Sequence, residues 1–483
     1  MLKKQKYRGV CKMSITEKGK EFKEIEEKIF REVCAIGCAK IKEILEAIDL
    51  ILRESRDKSI YRHKGNRKTV LKTTMGEVEY VRSMYETVEE NGIKKYVYLL
   101  DEEIGIRGNG FFSGLLSEYI VKASCESSYR NAAETVTNLT GQRISHTAAW
   151  QVVQNVGEKV NQQEETETRN ALKHSGKGEI ESPVLFEEQD GIWLKLQGKS
   201  RKQYGTSKEM KLAIAYDGAE KNGKRYRLTN KVACANFESA ERFSKRKEGV
   251  IANTYCIDEI EMRFLNGDGA EWIRNGIREE NVHFQLDPYH RNKAIINYVH
   301  DAEKRKVLFE LLYSKRIQDL MDCIEAYINS SESIEEQKEL KKLHMYFRNN
   351  KNGLTEIHRR GLDIPKAPEG KEYRHLGCME SNIFSIIGNR MKGRRACWSI
   401  KGGNNMARML CLKMTGRLSE VLSTLTTITL PEKYTEELNI PLSSAQIPQS
   451  IGKGYNGFKS VTSFPSTAEY KWLRRLSTAG FKA

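Results

Sequence analysis

The stretch from Glu261 to His290 constrains the fold most, and it has the sequence EMRFLNGDGAEWIRNGIREENVHFQLDPYH. It begins with a predicted strand at 262–265, followed by an Asn-Gly-Asp-Gly turn. A helix from Ala270 and a second strand, VHFQL, ending in Asp-Pro, complete a βαβ unit. The unit presents Asp268 just past the carboxyl end of a strand, where open α/β sheets collect ligands and catalytic groups.

Two acids in this stretch also have purely structural interpretations. Asp268 with Glu271 three residues later fits a capping box at a helix start. Asp287 followed by Pro288 fits an N-cap with proline at the first helical position. A chemical role for either residue therefore has to be argued from the rest of the chain.

Length, composition and net charge limit the class of protein to which this chain can belong. A chain of 483 residues exceeds one core and predicts three or four modules, since domains have roughly 100–150 residues. Its 39% hydrophobic content predicts a folded protein, and no apolar run approaches the ~18 residues of a membrane span. The N-terminus lacks an apolar signal core, and the ten cysteines form no CxxC pair, which predicts a soluble cytoplasmic protein with reduced thiols. The net charge of +16 favours a polyanionic partner, with nucleic acid as the leading candidate.

The N-terminal half divides into three predicted regions. Residues 1–58 form a helix whose apolar stripe over 22–48 is a candidate dimerisation surface. Residues 59–110 form a small β-rich module. Residues 111–177 contain two helices around Gly141, with Ser145 capping the second, and are typical of a helix-turn-helix followed by a linker. The residues expected to be exposed to the DNA major groove are Gln142, Arg143, His146, Thr147 and Gln151. An ordinary αα-hairpin is the alternative.

The C-terminal half predicts an α/β domain interrupted by helices, with its boundary near Pro183. The predicted parts are the α/β domain at 178–300, an all-helical insertion at 301–370, the second part of the α/β domain at 371–430 and an extended tail at 431–483. The strands and helices of 178–300 predict a mixed sheet with flanking helices.

Three acids are distributed over this domain: Asp190 in the first strand pair, Asp268 after a later strand, and Glu380 at a helix start beyond the insertion. Carboxylates of this kind suit two divalent ions, Mg²⁺ or Mn²⁺, which clamp the attacking and leaving oxygens in phosphoryl transfer. Asp190 has an alternative interpretation, because Asp190-Gly191 between two β runs is a hairpin-turn signal. Glu188, Asp217 and Asp258 are competing acids.

Four motifs in this order carry a resemblance to a known family: QDGIW, LNGDGAEWI, LDPYH and GCMESNIFSIIGNRMKGRRACWS. They resemble the motifs of bacterial insertion-sequence transposases of the DDE type, most closely the ISLre-type group, long listed as uncharacterised proteins and related to mutator-like transposases. The stretches GEVEYVRSMY and SYRNAAETV extend the resemblance into the N-terminal part.

The resemblance implies an RNase H-like catalytic domain with Asp190, Asp268 and Glu380 as the metal-binding catalytic triad. It matches Asp287 and His290 to an Asp/Cys-x-x-His element, to which we assign a supporting role. The basic cluster following Glu380 would then bind DNA phosphates near the active site. This cluster consists of Arg390, Lys392, Arg394 and Arg395.

These observations predict a DNA transposase that binds the terminal inverted repeats of its element and target DNA as an oligomer. The metal-bound acids would activate water and then a 3′-hydroxyl for strand cleavage and strand transfer. A metal-dependent nuclease without strand joining is one alternative. A DNA-binding regulator or a decayed transposase without catalysis is the other, and the intact set of acids argues against it.

Overall fold

The computed structural model describes residues 22–89, 92–105, 111–171, 173, 178–274, 281–393 and 395–426. The described residues fall into two units: one holds 22–42, 68–80 and those after 104, and the other holds 43–67 and 81–104. The predicted tail at 431–483 lies outside the described residues. Within the described ranges, no helix combines the length and apolarity that a membrane span requires.

The N-terminal elements are α1 (Phe22–Ser55), β1 (Arg62–Thr73), β2 (Gly76–Val88), β3 (Lys94–Val97) and α2 (Leu99–Glu103). The three strands form one sheet in the order β1-β2-β3, as the period-two pattern predicts. In the second unit, the buried carboxylate of Asp49 accepts hydrogen bonds from the backbone N–H and hydroxyl of Ser83. On α1, Phe22, Val33 and Ile36 are exposed, so the predicted dimerisation role of this stripe stays a prediction.

Three helices follow: α3 (Gly114–Glu126), α4 (Tyr129–Thr140) and α5 (His146–Ala171). The predicted turn is present, because Gly141 ends α4 in the left-handed conformation at φ 67°. The hydroxyl of Ser145 accepts a hydrogen bond from the backbone N–H of Ala148, which confirms it as the cap of α5.

The structure corrects one detail of this helical region and specifies two others. Gln142 is buried rather than exposed, because its backbone N–H is held by the hydroxyl of Thr140 and its side-chain amide reaches Glu77. Leu139 of α4 is exposed, whereas Ala133 and Val136 of the same helix are buried. The polar stretch after residue 157, interpreted as helical or a linker, is helical, since it continues α5 as far as Ala171.

The central sheet has five strands: β4 (Val184–Lys195), β5 (Ser207–Tyr216), β8 (Val232–Asn236), β9 (Met262–Gly267) and β10 (Val282–Leu286). Their order is β10-β9-β4-β5-β8, in which β4, β5 and β8 are antiparallel neighbours while β9 and β10 are parallel to β4. This is a mixed sheet, as predicted, and β9 and β10 are the two strands of the predicted βαβ unit. The other elements of this region are α6 (Gly198–Tyr204), the hairpin of β6 (Ala219–Asn222) and β7 (Arg225–Leu228), α7 (Ala240–Ala252) and α8 (Glu271–Arg274).

The chain after β10 is helical, and α9 (Pro288–Tyr298), α10 (Ala302–Tyr313), α11 (Ile317–Ser330) and α12 (Ile334–Asn349) share a core of their own. The predicted insertion therefore forms, although its helices end at Asn349 and two short 3₁₀ turns follow. The last elements are α13 (Met379–Ile383), a π-helical turn (Phe384–Gly388), α14 (Asn389–Met391), α15 (Ile400–Met414) and α16 (Leu418–Thr426).

The largest core joins α3–α5, one face of the sheet and α13–α16. Val152 and Val156 of α5 belong to the same cluster as Leu212 of β5 and Met406 of α15. Gly157 permits a close approach of α15, since a Cβ there would come within 2.6 Å of the Asn405 side chain. The helices before Pro183 and the sheet after it are thus packed into one core.

Candidate active site

The register of two central strands brings Asp190 next to Asp268. Gln189 of β4 pairs with Gly267 of β9 in a parallel ladder, so the next residue on each strand is an aspartate. Strand β4 is continuous through Asp190, and ten of its residues pair with β5. The alternative of a hairpin turn at Asp190-Gly191 is therefore wrong.

The two aspartates influence each other and a neighbouring histidine. Burial raises the pKa of Asp268; the N–H of Ala270, donating to its Oδ1 at 2.8 Å, lowers it, and the charge of Asp190 raises it again. Nε2 of His290 lies 3.7 Å from Oδ2 of Asp190, and this contact raises the pKa of His290. Negative charge is thus concentrated at the end of β9, where a cation stabilises it.

Asp268 is both a cap and a member of this acidic group. Its bond to Ala270 fixes the turn before α8, as the structural interpretation predicts. Its backbone carbonyl accepts a hydrogen bond from the hydroxyl of Tyr346 at 2.7 Å. Gly269 adopts φ 80°, and a Cβ there would come within 2.5 Å of the Asn350 side chain. The helical insertion, through α12 and the residue after it, therefore holds the turn that carries Asp268.

Asp287 is the N-cap of α9, which confirms its structural interpretation. Its Oδ1 accepts hydrogen bonds from the backbone N–H groups of Tyr289 and His290, and Pro288 occupies the first helical turn. Its Oδ2 accepts a bond from Nδ2 of Asn266 at 2.8 Å. The cap therefore orients the helix from which His290 reaches Asp190.

Glu188, two residues before Asp190 on β4, is fully buried and accepts hydrogen bonds from neutral donors. The backbone N–H groups of Gly377, Cys378 and Met379 donate to it at 3.0, 3.3 and 3.1 Å. The Tyr216 hydroxyl donates at 2.8 Å, and the Cys378 thiol lies 2.9 Å away. This carboxylate fixes the start of α13 against β4.

Glu380 lies in the first turn of α13, one residue after this anchor, and its side chain is exposed. The helix predicted to carry the third acid is therefore attached to the strand that carries the first. Among the described residues, Asp190, Asp268 and Glu380 do not form a group whose ligand atoms all lie within 4.8 Å of one another. Its role as third ligand stays a prediction.

A different group does meet that limit, and it contains two histidines. Ligand atoms of Glu356, His358 and His375 all lie within 4.8 Å of one another, and the two Nδ1 atoms are 3.0 Å apart. Imidazole nitrogens suit zinc and other transition metals better than magnesium. This cluster is therefore chemically distinct from the aspartates.

The basic residues predicted to bind DNA have different surroundings. Arg390 is half-buried; its Nε donates to the Ser124 carbonyl, and its guanidinium lies 5.3 Å from the Trp398 ring centroid. Lys392 and Arg395 are exposed, whereas Arg394 lies outside the described residues. Arg143, His146 and Gln151 are exposed at the start of α5 or just before it. Their DNA contacts stay predictions.

The donor set fits divalent ions of the magnesium type in two respects. Asp190 and Asp268 offer oxygen ligands directly after the paired residues Gln189 and Gly267, and the charge of Asp190 raises the pKa of Asp268. A hard cation at that point removes the repulsion and takes oxygen ligands by preference. Asp190 and Asp268 would hold the ions, with Glu380 as the third ligand.

Sequence reasoning named Glu188 only as a competing acid and missed Tyr346 and Asn350. The signal for Glu188 was its i, i+2 spacing from Asp190, which puts both side chains on one face of a strand. Tyr346 and Asn350 lie on a helical segment distant in sequence from Asp268, so no local pattern relates them to it.

A model of an uncharacterised protein family, UPF0236, matches residues 15–422. The chain belongs to this family. A UPF0236 protein of Caldanaerobacter subterraneus subsp. tengcongensis, whose name joins eleven locus numbers, is 25% identical over 411 residues, which cover 84% of this chain and 79% of that protein. Another from the same organism, whose name joins four locus numbers, is 24% identical over the same length. A UPF0236 protein from Streptococcus gallolyticus, named from a vanSb 3′ region, is 22% identical over 356 residues, or 71% of each chain.

Proposed function

We propose that this UPF0236 member is a DNA transposase of an insertion sequence. The observation that carries the proposal is the register of two parallel strands, in which Gln189 pairs with Gly267, so that Asp190 and Asp268 both follow the same pair. Nε2 of His290 lies 3.7 Å from Oδ2 of Asp190. Two carboxylates held this closely inside a protein are costly unless they share a cation. Metal-assisted phosphoryl transfer is the reaction class that such a site serves best.

The strand arrangement supports the RNase H-like assignment that the sequence motifs imply. Three antiparallel strands, β4, β5 and β8, precede two strands that extend the sheet in parallel on the other side of β4. The first acid lies on the central strand, and the second follows the neighbouring parallel strand. The helix of the third acid comes after an all-helical insertion, in the order that the family resemblance implies.

The names of the relatives provide independent support. One UPF0236 protein carries eleven locus numbers in a single organism and another carries four. A gene present at many loci of one genome is typical of an element that copies or moves itself. We extend this inference to the present chain because it matches those relatives over most of their length.

In the proposed reaction, Asp190, Asp268 and Glu380 would hold two Mg²⁺ or Mn²⁺ ions. When bound, these ions stabilise the attacking and leaving oxygens of the displacement. Tyr346 fixes the Asp268 backbone, Glu188 anchors the Glu380 helix, and His290 orients the Asp190 carboxylate. Lys392 and Arg395 would bind phosphates, and Arg143, His146 and Gln151 would contact the terminal repeat. Water and then a DNA 3′-hydroxyl would be the nucleophiles.

The deciding experiment uses purified protein, Mg²⁺ and a labelled duplex ending in the element's terminal repeat. Wild type is compared with Asp268→Asn, which retains the oxygen that accepts from Ala270 but removes the charge. We expect wild type to nick at the repeat end and the variant to bind equally while cutting at least ~100-fold more slowly, since losing one electrostatic contact at a reacting centre costs about 2.7–4 kcal/mol.

Each other result has a defined meaning. Equal cutting by both proteins would reduce Asp268 to a helix cap. Binding without cutting by either protein would favour the regulator or decayed copy. Cutting without transfer of the 3′ end into a second duplex would identify a nuclease.

A further inference from the structure

A cleft of 1030 Å³ lies beside the start of α13, which Glu188 holds against β4. The charged residues that line it are positive. Its walls come from the end of β5, the β6–β7 hairpin, the start of α13 and the turn between α15 and α16. Six of its lining residues are basic, and no aspartate or glutamate lines it. The basic residues are Arg225, Arg227, Lys231, Arg374, Lys413 and Arg417.

Most of this positive charge is not neutralised by the protein. Lys413 pairs with Glu126 at 2.6 Å, and Arg374 lies 4.0 Å from Glu372. In contrast, Arg225, Arg227 and Arg417 have no carboxylate partner among the described residues, and Lys231 donates to the neutral amide of Asn382. Like charges gathered in a concave surface raise the local potential and attract anions.

The shape and the aromatic lining favour a strand over a compact anion. Arg225, Tyr226 and Arg227 are successive residues of β7, and all three line the cleft. The guanidinium of Arg374 lies 3.7 Å from the ring centroid of Tyr226, which is partly exposed. Cationic grooves with stacked aromatic and arginine planes are typical of single-stranded nucleic-acid sites.

We propose that this cleft binds the sugar–phosphate backbone of a single DNA strand. The inference rests on the proposed function in taking the strand to be DNA, and it specifies where that strand lies. Ser381 and Asn382 of α13 line the cleft, and Glu380 precedes them in the same helical turn. A strand held by Arg225, Arg227 and Arg417 therefore passes the helix start that carries the third acid.

The test measures binding of a fluorescein-labelled 30-nucleotide strand by anisotropy, in EDTA, over a range of salt concentrations. The variant is Arg225→Ala/Arg227→Ala, in which both side chains are exposed and their loss leaves the core intact. The matched control is Arg242→Ala/Lys245→Ala, which removes two exposed charges from α7, outside the cleft lining. Thermal melting of all three proteins checks that each is folded.

We expect the cleft variant to bind the strand at least ~10-fold more weakly and the slope of log K against log salt to fall by about 1.4, or about 0.7 per lost phosphate contact. The control should match wild type. Equal slopes for the cleft variant and wild type would overturn the proposal. Duplex DNA and inorganic pyrophosphate are tested as comparison ligands, and a loss of affinity confined to either of them would overturn it as well.

The experiments distinguish failure of the cleft proposal from failure of the proposed function. If wild type nicks the repeat end and the cleft variant binds and nicks as well as wild type, the cleft proposal falls and the transposase stands. If the strand binds through Arg225 and Arg227 but wild type never cuts, the cleft stands and the catalytic proposal falls.

Discussion

Two adjacent glutamates on β4 show how one strand buries negative charge in opposite ways. Glu187 and Glu188 are 1% and 0% exposed, and they point to opposite faces of the sheet. Glu187 lies 2.5 Å from the Lys247 ammonium and 2.6 Å from the Arg263 guanidinium. Glu188 accepts instead from backbone N–H groups, a hydroxyl, a thiol and an amide.

Under the proposed function, this difference separates a structural face of the sheet from the face that carries the catalytic acids. Burial alone would raise the pKa of Glu187, but Arg263 and Lys247 more than offset this and lower its pKa to about 2. That ion network ties α7 and β9 to β4. Glu188 forms no ion pair among the described residues, and its donors come from residues 377–379 at the start of α13, from Tyr216 of β5 and from Asn266 of β9. Under the proposed function, a metal ion would bind Asp190 and Asp268 on this face, where His290 is their one ion-pair partner among the described residues.

The largest expected effect is on stability, from breaking the ion network. Glu187→Ala leaves Lys247 and Arg263 buried without their central partner, which costs about 3–5 kcal/mol of unfolding free energy. Urea unfolding followed by circular dichroism measures the loss. Glu241→Ala, which removes an exposed partner of Lys245, is the control and should change stability by less than ~1 kcal/mol. A small loss for Glu187→Ala would mean that the two faces do not differ as described.

The second effect is on the active-site face. Glu188→Gln keeps the shape but turns an amide N–H₂ towards backbone N–H donors, at a cost of about 1–3 kcal/mol. Because these donors position Glu380, we expect the cleavage rate to fall at least ~10-fold while DNA affinity is unchanged, as about 1.4 kcal/mol corresponds to tenfold. Glu187→Gln, at the neighbouring position, should lose stability with little change in the cleavage rate of the folded protein. Equal cleavage defects in the two variants would remove the functional distinction between the faces.

The smallest effect is a difference in pH dependence. Because the folded pKa of Glu187 lies below its ordinary value of 4.5, its stabilisation is complete above that pH and is lost as the pH falls towards about 2. Acid unfolding of Glu187→Gln should therefore be less steep over that window than that of wild type.

On the other face, burial raises the pKa of Asp268, so Mg²⁺-dependent cleavage should decline with acid at a pH above 3.8. A decline that begins only below pH 3.8 would argue against the raised pKa of Asp268.

Sequence patterns predicted the parts of this molecule that depend on local chemistry. The βαβ unit followed from a period-two strand, a glycine turn and an Asp-Pro cap, and the two helices around Gly141 followed from their caps and apolar spacing. The motif resemblance identified Asp190 and Asp268, which the strand register then brought together. Each of these motifs lies within one continuous stretch of sequence.

The remaining features arise from contacts between distant segments. Asp190-Gly191 looks like a turn locally, but pairing with both β5 and β9 keeps β4 extended through it. The exposure of Gln142 could not be judged without Glu77, which lies 65 residues away. The basic cleft collects residues from 225 to 417, and no window of sequence contains them together.

The length of α5 has a mechanical consequence for the proposed reaction. The helix has 26 residues and is therefore about 39 Å long, with its exposed start at His146 and its middle packed in the same core as the sheet. A rigid helix of this length keeps its exposed start at a fixed distance from the sheet. Under the proposed function, the protein therefore fixes the distance between the repeat sequence that α5 contacts and the bond that is cut. Inserting half a helical turn of DNA between these two sites should abolish cleavage, even though both sequences are intact.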